Sequence, residues 1–314
     1  MMKFIKIRCR IPSWIWIVTV SVIVVFPPAS SGAAEFLDAM ESDPAVMGWM
    51  QGFPPPLENR IMNPDSDYFS FPKLRWTVCH IRELLPTKQV SRGIGSPIPL
   101  KYAIDDDIDD VRFMPIGGAE PMTWKQSLSE NYTDGILIIH EGKVVYERYF
   151  GCLNEMGKHA AMSMTKSLTG LLAEILVAEG ALDDKVKVSS IVPELSGSAF
   201  GSATVRQVMD MTTALNYSED YSDPKADIWI YSAAANPLPK PKGYEGPIGY
   251  FEYLRTVKQG GIHGEAFGYR TINTDALSWI ISRTTGKDLT KLLSERIWGK
   301  IGAEQDAYML SLIH

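Results

Sequence analysis

Cysteine is scarce: three in 314 residues, and Cys9 stands ahead of the first apolar run. That leaves Cys79 and Cys152, too few for a disulfide framework; an oxidising compartment permits one bridge between them, and the sequence alone leaves it open. Hydrophobic runs long enough to cross a bilayer are also missing. The longest apolar run, Ile11 to Phe26, is 16 residues, short of the ~20 that a spanning helix needs. Basic charge is in deficit, with 31 Lys+Arg against 37 Asp+Glu, which opposes binding to nucleic-acid phosphates. Metal ligands do not cluster either. The acidic run Asp105–Asp110 has no spaced partner set and reads as a solvated loop rather than a cation site. No cofactor motif is present, and none is expected.

What is present begins with an export signal. Lys3, Lys6, Arg8 and Arg10 precede the apolar run, Pro27 and Pro28 end it, and Ser31-Gly-Ala-Ala34 follows. This is the layout of a cleaved secretory signal peptide over residues 1–34, with a retained membrane anchor as the alternative. Cleavage removes four cations and no acids, leaving 27 Lys+Arg against 37 Asp+Glu, a net charge of −10. The expected product is an exported, periplasmic or secreted protein with no membrane attachment. Its oligomeric state is left open.

With 45 % hydrophobic and 22 % charged residues, the remainder has the composition of a globular chain with a sizeable core. Residues 35–134 read as an irregular preamble, because Gly52-Phe-Pro-Pro-Pro56 and Ile98-Pro-Leu100 cannot lie inside helices. Regular structure is expected from Gly135. Gly135–His140 and Val144–Phe150 are β-rich runs around Glu141-Gly142-Lys143, a hairpin pattern. Leu168, Leu171, Leu172, Ile175 and Leu176 then recur at helical spacing, and Gly180 fits the residue just past that helix. Thr204-Val-Arg-Gln207 has the form of a capping box opening a second helix. A third helix is expected over about Thr274 to Thr285, ending at Gly286. Residues 135–314 therefore read as an α/β unit, a sheet flanked by helices plus a mostly helical part.

The chemistry rests on Ser-x-x-Lys, a spacing that puts both side chains on one helix face. It occurs three times, at Ser70–Lys73, Ser163–Lys166 and Ser222–Lys225. Pro72 and Pro224 disfavour helix through the residue before each, so only Ser163 opens an amphipathic helix. There the helix dipole favours negative charge on an attacking oxygen. Ser163 is thus the expected nucleophile and Lys166 its base, a lysine that must lose its proton to serve.

The motifs beyond this pair agree in order: Gly180-Ala-Leu-Asp-Asp184, Val192-Pro-Glu-Leu195, Thr204-Val-Arg-Gln-Val-Met209 and Phe267-Gly-Tyr269. With Trp49-Met-Gln-Gly-Phe-Pro-Pro-Pro56 and Phe71-Pro-Lys-Leu-Arg-Trp76, they resemble the serine β-lactamase and penicillin-binding-protein superfamily. The closest branch is its class C-like 6-aminohexanoate-dimer hydrolases, and the resemblance runs over roughly residues 45–310. It implies the β-lactamase/transpeptidase-like fold, an antiparallel sheet with helices, and cleavage of a small-molecule amide or ester through an acyl-enzyme. It implies Tyr269 as the proton-relaying tyrosine of a Y-x-N element. The third position of that element here is Thr271, with Asn273 two residues on, and which of them makes the family's amide contact stays open; Asn273 is taken as a substrate-binding residue. Tyr221, in Asp220-Tyr-Ser-Asp-Pro224, is the expected substrate-covering tyrosine, against the alternative of a surface turn. His263 is expected to be structural.

The family's Lys-Thr-Gly or His-x-Gly motif has no counterpart between Tyr269 and His314. The resemblance therefore implies that the remaining sheet strands and one oxyanion donor lie beyond His314. Residues 35–314 alone are then expected to be poorly soluble and weakly active. A non-catalytic binding or sensor relative is the rival reading, as are a carboxylesterase and a DD-peptidase within the superfamily.

Overall fold

The computed structural model describes residues 36–63, 67–236, 240 and 242–310. The expected signal segment 1–34 lies outside the described residues. Among the described residues, no helix is long and apolar enough to cross a membrane.

The hairpin forms as its sequence dictates. Gly135–His140 pairs antiparallel with Lys143–Tyr149, His140 opposite Lys143. The loop is therefore two residues, Glu141 and Gly142, with φ of 49° and 75°. Two consecutive positive φ values match the right-handed twist of paired strands, and Gly142 takes its value without a Cβ penalty. Lys101–Tyr102 adds a parallel strand to the far side of Lys143–Tyr149. Val144 and Tyr146 are fully buried on this middle strand, whereas Leu137 and Ile139 on the outer one are exposed. Among the described residues, no strand pairs with the outer edge of Gly135–His140.

A separate apolar core fills the helical part and centres on the helix Met164–Ala178. Its buried face is Thr169, Leu172, Ala173 and Leu176, one stripe at i, i+3, i+4 and i+7. Leu171, expected on this stripe, is exposed, because a nine-residue window of apolar residues does not fix the phase of the helix to one residue. The helix ends at Gly180, whose amide bonds Val177 O while Ala181 N bonds Leu176 O, a complete Schellman closure. The capping box forms at Thr204, with Gln207 N donating to Thr204 Oγ1 and Thr204 N to Gln207 Oε1. The helix it opens, Val205–Met209, packs on the long helix Ile272–Thr285. Ile272, Ala276 and Ile280 of that helix are fully buried.

The preamble is more ordered than its prolines suggest. Leu74–Leu84 is helical; Pro72 stands just outside its start, where a missing amide costs no helical hydrogen bond. A second capping box, Thr123 with Gln126, opens Trp124–Glu130. The helix Leu74–Leu84 is tied across position 134 by three kinds of bond. Arg75, only 7 % exposed, pairs with Asp134 at 3.0 Å and donates to Ala39 O and Ser42 Oγ. Cys79 and Cys152 form a disulfide with Cα atoms 6.0 Å apart, and Ala160 N donates to Val78 O. Thr87–Val90 also pairs antiparallel with Ala307–Leu310. The acidic run is largely exposed, as expected, with two of its acids engaged. Asp106 pairs with Arg148 at 2.7 Å, and Tyr146 Oη donates to Asp109 at 2.5 Å.

The disulfide closes a loop with a sequence separation of 73 residues. Replacing Cys79 and Cys152 by serine is therefore expected to cost on the order of 2–4 kcal/mol by releasing unfolded-state entropy. Urea unfolding of the oxidised protein and the double variant would read this directly; equal midpoints would mean that the bridge does not constrain the chain.

Candidate active site

Three of the expected residues come together at the start of the helix Met164–Ala178. Ser163 is its N-cap residue, and the preceding Met162 has a φ of 46°. A left-handed non-glycine residue is a local strain that surrounding contacts must hold. Here the turn is held by i→i+3 bonds from Met164 N to Ala161 O and from Thr165 N to Met162 O. The result is an exposed Ser163 at the tip of the turn, with Lys166 half-buried one turn on. Lys166 Nζ donates to Ser163 Oγ at 2.9 Å and lies 5.3 Å from the centre of the Tyr269 ring. At 2.9 Å a hydroxyl and an amine can exchange a proton in either direction.

The other two Ser-x-x-Lys copies do not make such a pair. Lys73 Nζ donates to Asp67 at 2.7 Å, and Ser222 Oγ donates to Asp220 at 2.6 Å. Both lie in turns rather than within a helix.

Tyr269 is 43 % exposed and is placed by its backbone. Gly268 N donates to Met211 O and Gly264 N to Thr212 O, so the segment 264–269 is laced to the turn that follows Val205–Met209. Tyr269, Arg270, Tyr217, Glu219 and Tyr221 line an open groove of about 720 Å³. A second cavity, of about 430 Å³, is lined by Ala160, Ala161, Thr165, Leu168 and Trp298; Ser163 and Lys166 are in the lining of neither space.

Asn273 corrects the expectation of a substrate contact. It is 1 % exposed, its Oδ1 accepts from Thr213 Oγ1 at 2.6 Å, and its Nδ2 donates to Arg270 O at 3.3 Å. Its amide is spent on fixing the turn behind Tyr269. Thr271 is engaged as well, its amide donating to Glu219 Oε2 at 2.6 Å and its hydroxyl to Glu219 Oε1. Neither candidate for the family's amide contact is turned toward the groove.

Tyr221 is 62 % exposed, stacks edge-on against Trp229 at 5.9 Å and donates to Glu219 Oε1 at 3.0 Å. Glu219 thus joins the Tyr221 loop to the start of the Tyr269 helix. Its place between Tyr217 and Tyr221 was visible in the sequence, but a carboxylate that serves two backbone segments has no local signature. His263 is structural in its contacts: Nδ1 accepts from Ala214 N at 2.9 Å, and its Nε2 lies 3.0 Å from Ser202 Oγ. The Ala214 bond fixes the neutral ring with the proton on Nε2, and burial holds its pKa below the usual histidine value. Among the described residues, the one grouping with metal-ligand proximity is Cys79, Cys152 and His159, whose sulfurs are joined in the disulfide.

Comparison with known proteins gives the family. A family model described as beta-lactamase matches residues 130–308. The chain is 34 % identical over 236 residues to the 6-aminohexanoate-dimer hydrolase of Paenarthrobacter ureafaciens, covering 75 % of this chain and 57 % of that protein. A solved structure from Bacillus anthracis, named as a candidate 6-aminohexanoate-dimer hydrolase, is 32 % identical. It superposes with a TM-score of 0.70 over 77 % of this chain and 63 % of its own. The chain thus spans less than two thirds of the length of the relatives it matches. From the family match, and from the fold it shares with that solved structure, the chain belongs to the beta-lactamase family of hydrolases.

Proposed function

We propose that this protein cleaves a linear amide, or an ester of similar shape, through an acyl-enzyme on Ser163. The observation that carries the proposal is the 2.9 Å contact between Lys166 Nζ and Ser163 Oγ at a helix start, with the Tyr269 ring 5.3 Å from the same nitrogen. In the reactive state Lys166 is neutral and accepts the Ser163 proton as Oγ bonds to the substrate carbonyl carbon. The resulting oxyanion lies at the N-terminus of the helix Met164–Ala178, where the amides carry partial positive charge. Collapse breaks the C–N or C–O bond, and the leaving group takes the proton by way of Lys166 and Tyr269. Water then adds to the acyl carbon, giving its proton back through the same pair and releasing Ser163.

A 6-aminohexanoate-type linear amide is the proposed substrate class, supported by the names of the two relatives. Export through the amino-terminal signal is part of the proposal. It is supported by the Cys79–Cys152 disulfide, since such bonds persist in oxidising compartments. With a p-nitrophenyl ester, the reading predicts a burst of p-nitrophenol equal to the enzyme concentration, followed by slower turnover. A linear time course with no burst at any substrate concentration, together with no trapped adduct, would count against it.

A further inference from the structure

We infer that the reduced form of this chain holds one thiophilic divalent cation of the zinc class between Cys79, Cys152 and His159. The inference stands apart from the chemistry at Ser163 and concerns the staple between the preamble and the hairpin.

Cys79 comes from the helix Leu74–Leu84 and Cys152 from the turn after the strand Lys143–Tyr149, with Cα atoms 6.0 Å apart. Both cysteines are half-buried, and His159 is exposed beside them. A ring nitrogen of His159 and the two sulfurs all lie within 4.8 Å of one another. Thiolate and imidazole are the ligands that zinc prefers, at ~2.3 Å and ~2.0 Å. On one tetrahedral ion those lengths put two sulfurs ~3.8 Å apart, and a sulfur and a nitrogen ~3.6 Å apart. Once the S–S bond is open, His159 closes on the sulfurs by a shift of about 1 Å, which side chains near the surface make by rotation. Three protein ligands leave the fourth position to water.

The surroundings hold these ligands in place. His159 contacts Asp134 Oδ2 through Nε2 at 3.2 Å and Ala160 O through Nδ1 at 3.0 Å. Whichever nitrogen takes the metal, the other keeps an oxygen partner, the arrangement that orients histidine ligands. Asp134 is itself fixed: Arg75 pairs with its Oδ1 at 3.0 Å, and its carbonyl accepts from Phe150 N at 2.8 Å. Gly151, next to Cys152, makes room for it, since a Cβ there would collide with Asp134 Oδ1. Ala160 N donates to Val78 O at 2.8 Å and so ties the His159 segment to the helix at Cys79.

Bridge and cation exclude each other, because both use the same two sulfurs. A trialkylphosphine and water open the S–S bond, supplying two electrons and two protons and leaving as the phosphine oxide. A cellular dithiol does the same and becomes a disulfide. One Zn²⁺ then replaces the two thiol protons, which pass to solvent. Either link closes the same loop between Cys79 and Cys152. In an oxidising compartment the bridge prevails; under reducing conditions the cation takes its place.

The test uses the whole chain, reduced with a trialkylphosphine under argon and titrated with Co²⁺ and then Zn²⁺. The expected result is one Co²⁺ per chain, with a thiolate-to-cobalt charge-transfer band and the strong visible bands of a four-coordinate ion. One equivalent of Zn²⁺ should displace that spectrum, and the oxidised chain should show none of it. His159→Ala should weaken Zn²⁺ binding to the reduced chain by at least the ~10–100-fold that loss of a histidine's supporting partner costs. Cys79→Ser should abolish stoichiometric binding, whereas His140→Ala, exposed on the hairpin, should bind as the parent does. Zn²⁺ should also raise the urea midpoint of the reduced chain, or refold it if reduction alone unfolds it. The inference is overturned by the absence of a stoichiometric band, by equal binding to the oxidised chain or by equal affinity in His159→Ala. A midpoint that Zn²⁺ leaves unchanged overturns it too.

Discussion

Ser163→Ala is expected to eliminate the p-nitrophenol burst and to reduce turnover on the order of 10⁴–10⁶-fold, leaving only the contribution of binding and of the helix-terminal amides. The change removes one oxygen from an exposed side chain at the N-cap. That Oγ accepts from Lys166 and caps no helix amide, so stability should change by less than about 1 kcal/mol. Ser70→Ala and Ser222→Ala are the matched controls, since Lys73 is engaged by Asp67 and Ser222 by Asp220. Both should keep the full burst. A burst surviving in Ser163→Ala would move the nucleophile to another residue.

The second large effect is at the base. Lys166→Arg should be nearly as damaging as Lys166→Ala, with acylation falling on the order of 10²–10⁴-fold in both. Arginine preserves the positive charge, and it can still donate to Ser163 Oγ. It cannot accept a proton, because a guanidinium does not deprotonate in the accessible range. The pair of variants therefore separates a base from a mere counter-ion. Retention of more than about a tenth of the parent acylation rate in Lys166→Arg would assign the proton to a different acceptor.

The parts of the fold that were legible in the sequence are those written in local chemistry. Glu141-Gly142 between β-branched runs specifies its hairpin, Thr204 with Gln207 specifies a helix start, and the three-residue spacing of Ser163 and Lys166 specifies their contact. Prolines also sorted the three Ser-x-x-Lys copies correctly by backbone. The prolines at 54–56 and 99 do stand outside the α-helices of the preamble, but they carried no sign of the helix Leu74–Leu84 between them. Contacts between distant segments were not legible. The Arg75–Asp134 pair, the parallel addition of Lys101–Tyr102 and the hold of Glu219 on Thr271 each join segments whose separation carries no pattern. Polar residues near the groove were the hardest to assign. Asn273 looked available for substrate by sequence position, yet one helix turn carries it into the core, where Thr213 and Arg270 take its amide. Asp275, two residues further, drew no notice because an acid in the first turn of a helix is ordinary; its burial and its bond from Tyr231 exist only in the fold.

Glu219 and Asp275 also show how two helices can serve one site. The loop bearing Tyr221 runs into the helix Asp227–Ala235, and the segment bearing Tyr269 runs into Ile272–Thr285. Tyr231 to Asp275 bolts those helices together in the core, and Glu219 to Thr271 and Tyr221 does so at the rim. The groove between Tyr221 and Tyr269 is thus held at both depths.

Which atom of the protein becomes acylated decides the function. Intact mass after treatment with a fluorophosphonate, followed by peptide mapping, answers this in one measurement. The expected result is a single adduct on the peptide containing Ser163, absent from Ser163→Ala and strongly slowed in Lys166→Ala. An adduct on Ser70, Ser222 or any other residue at the parent rate, with Ser163 unmodified, would contradict it.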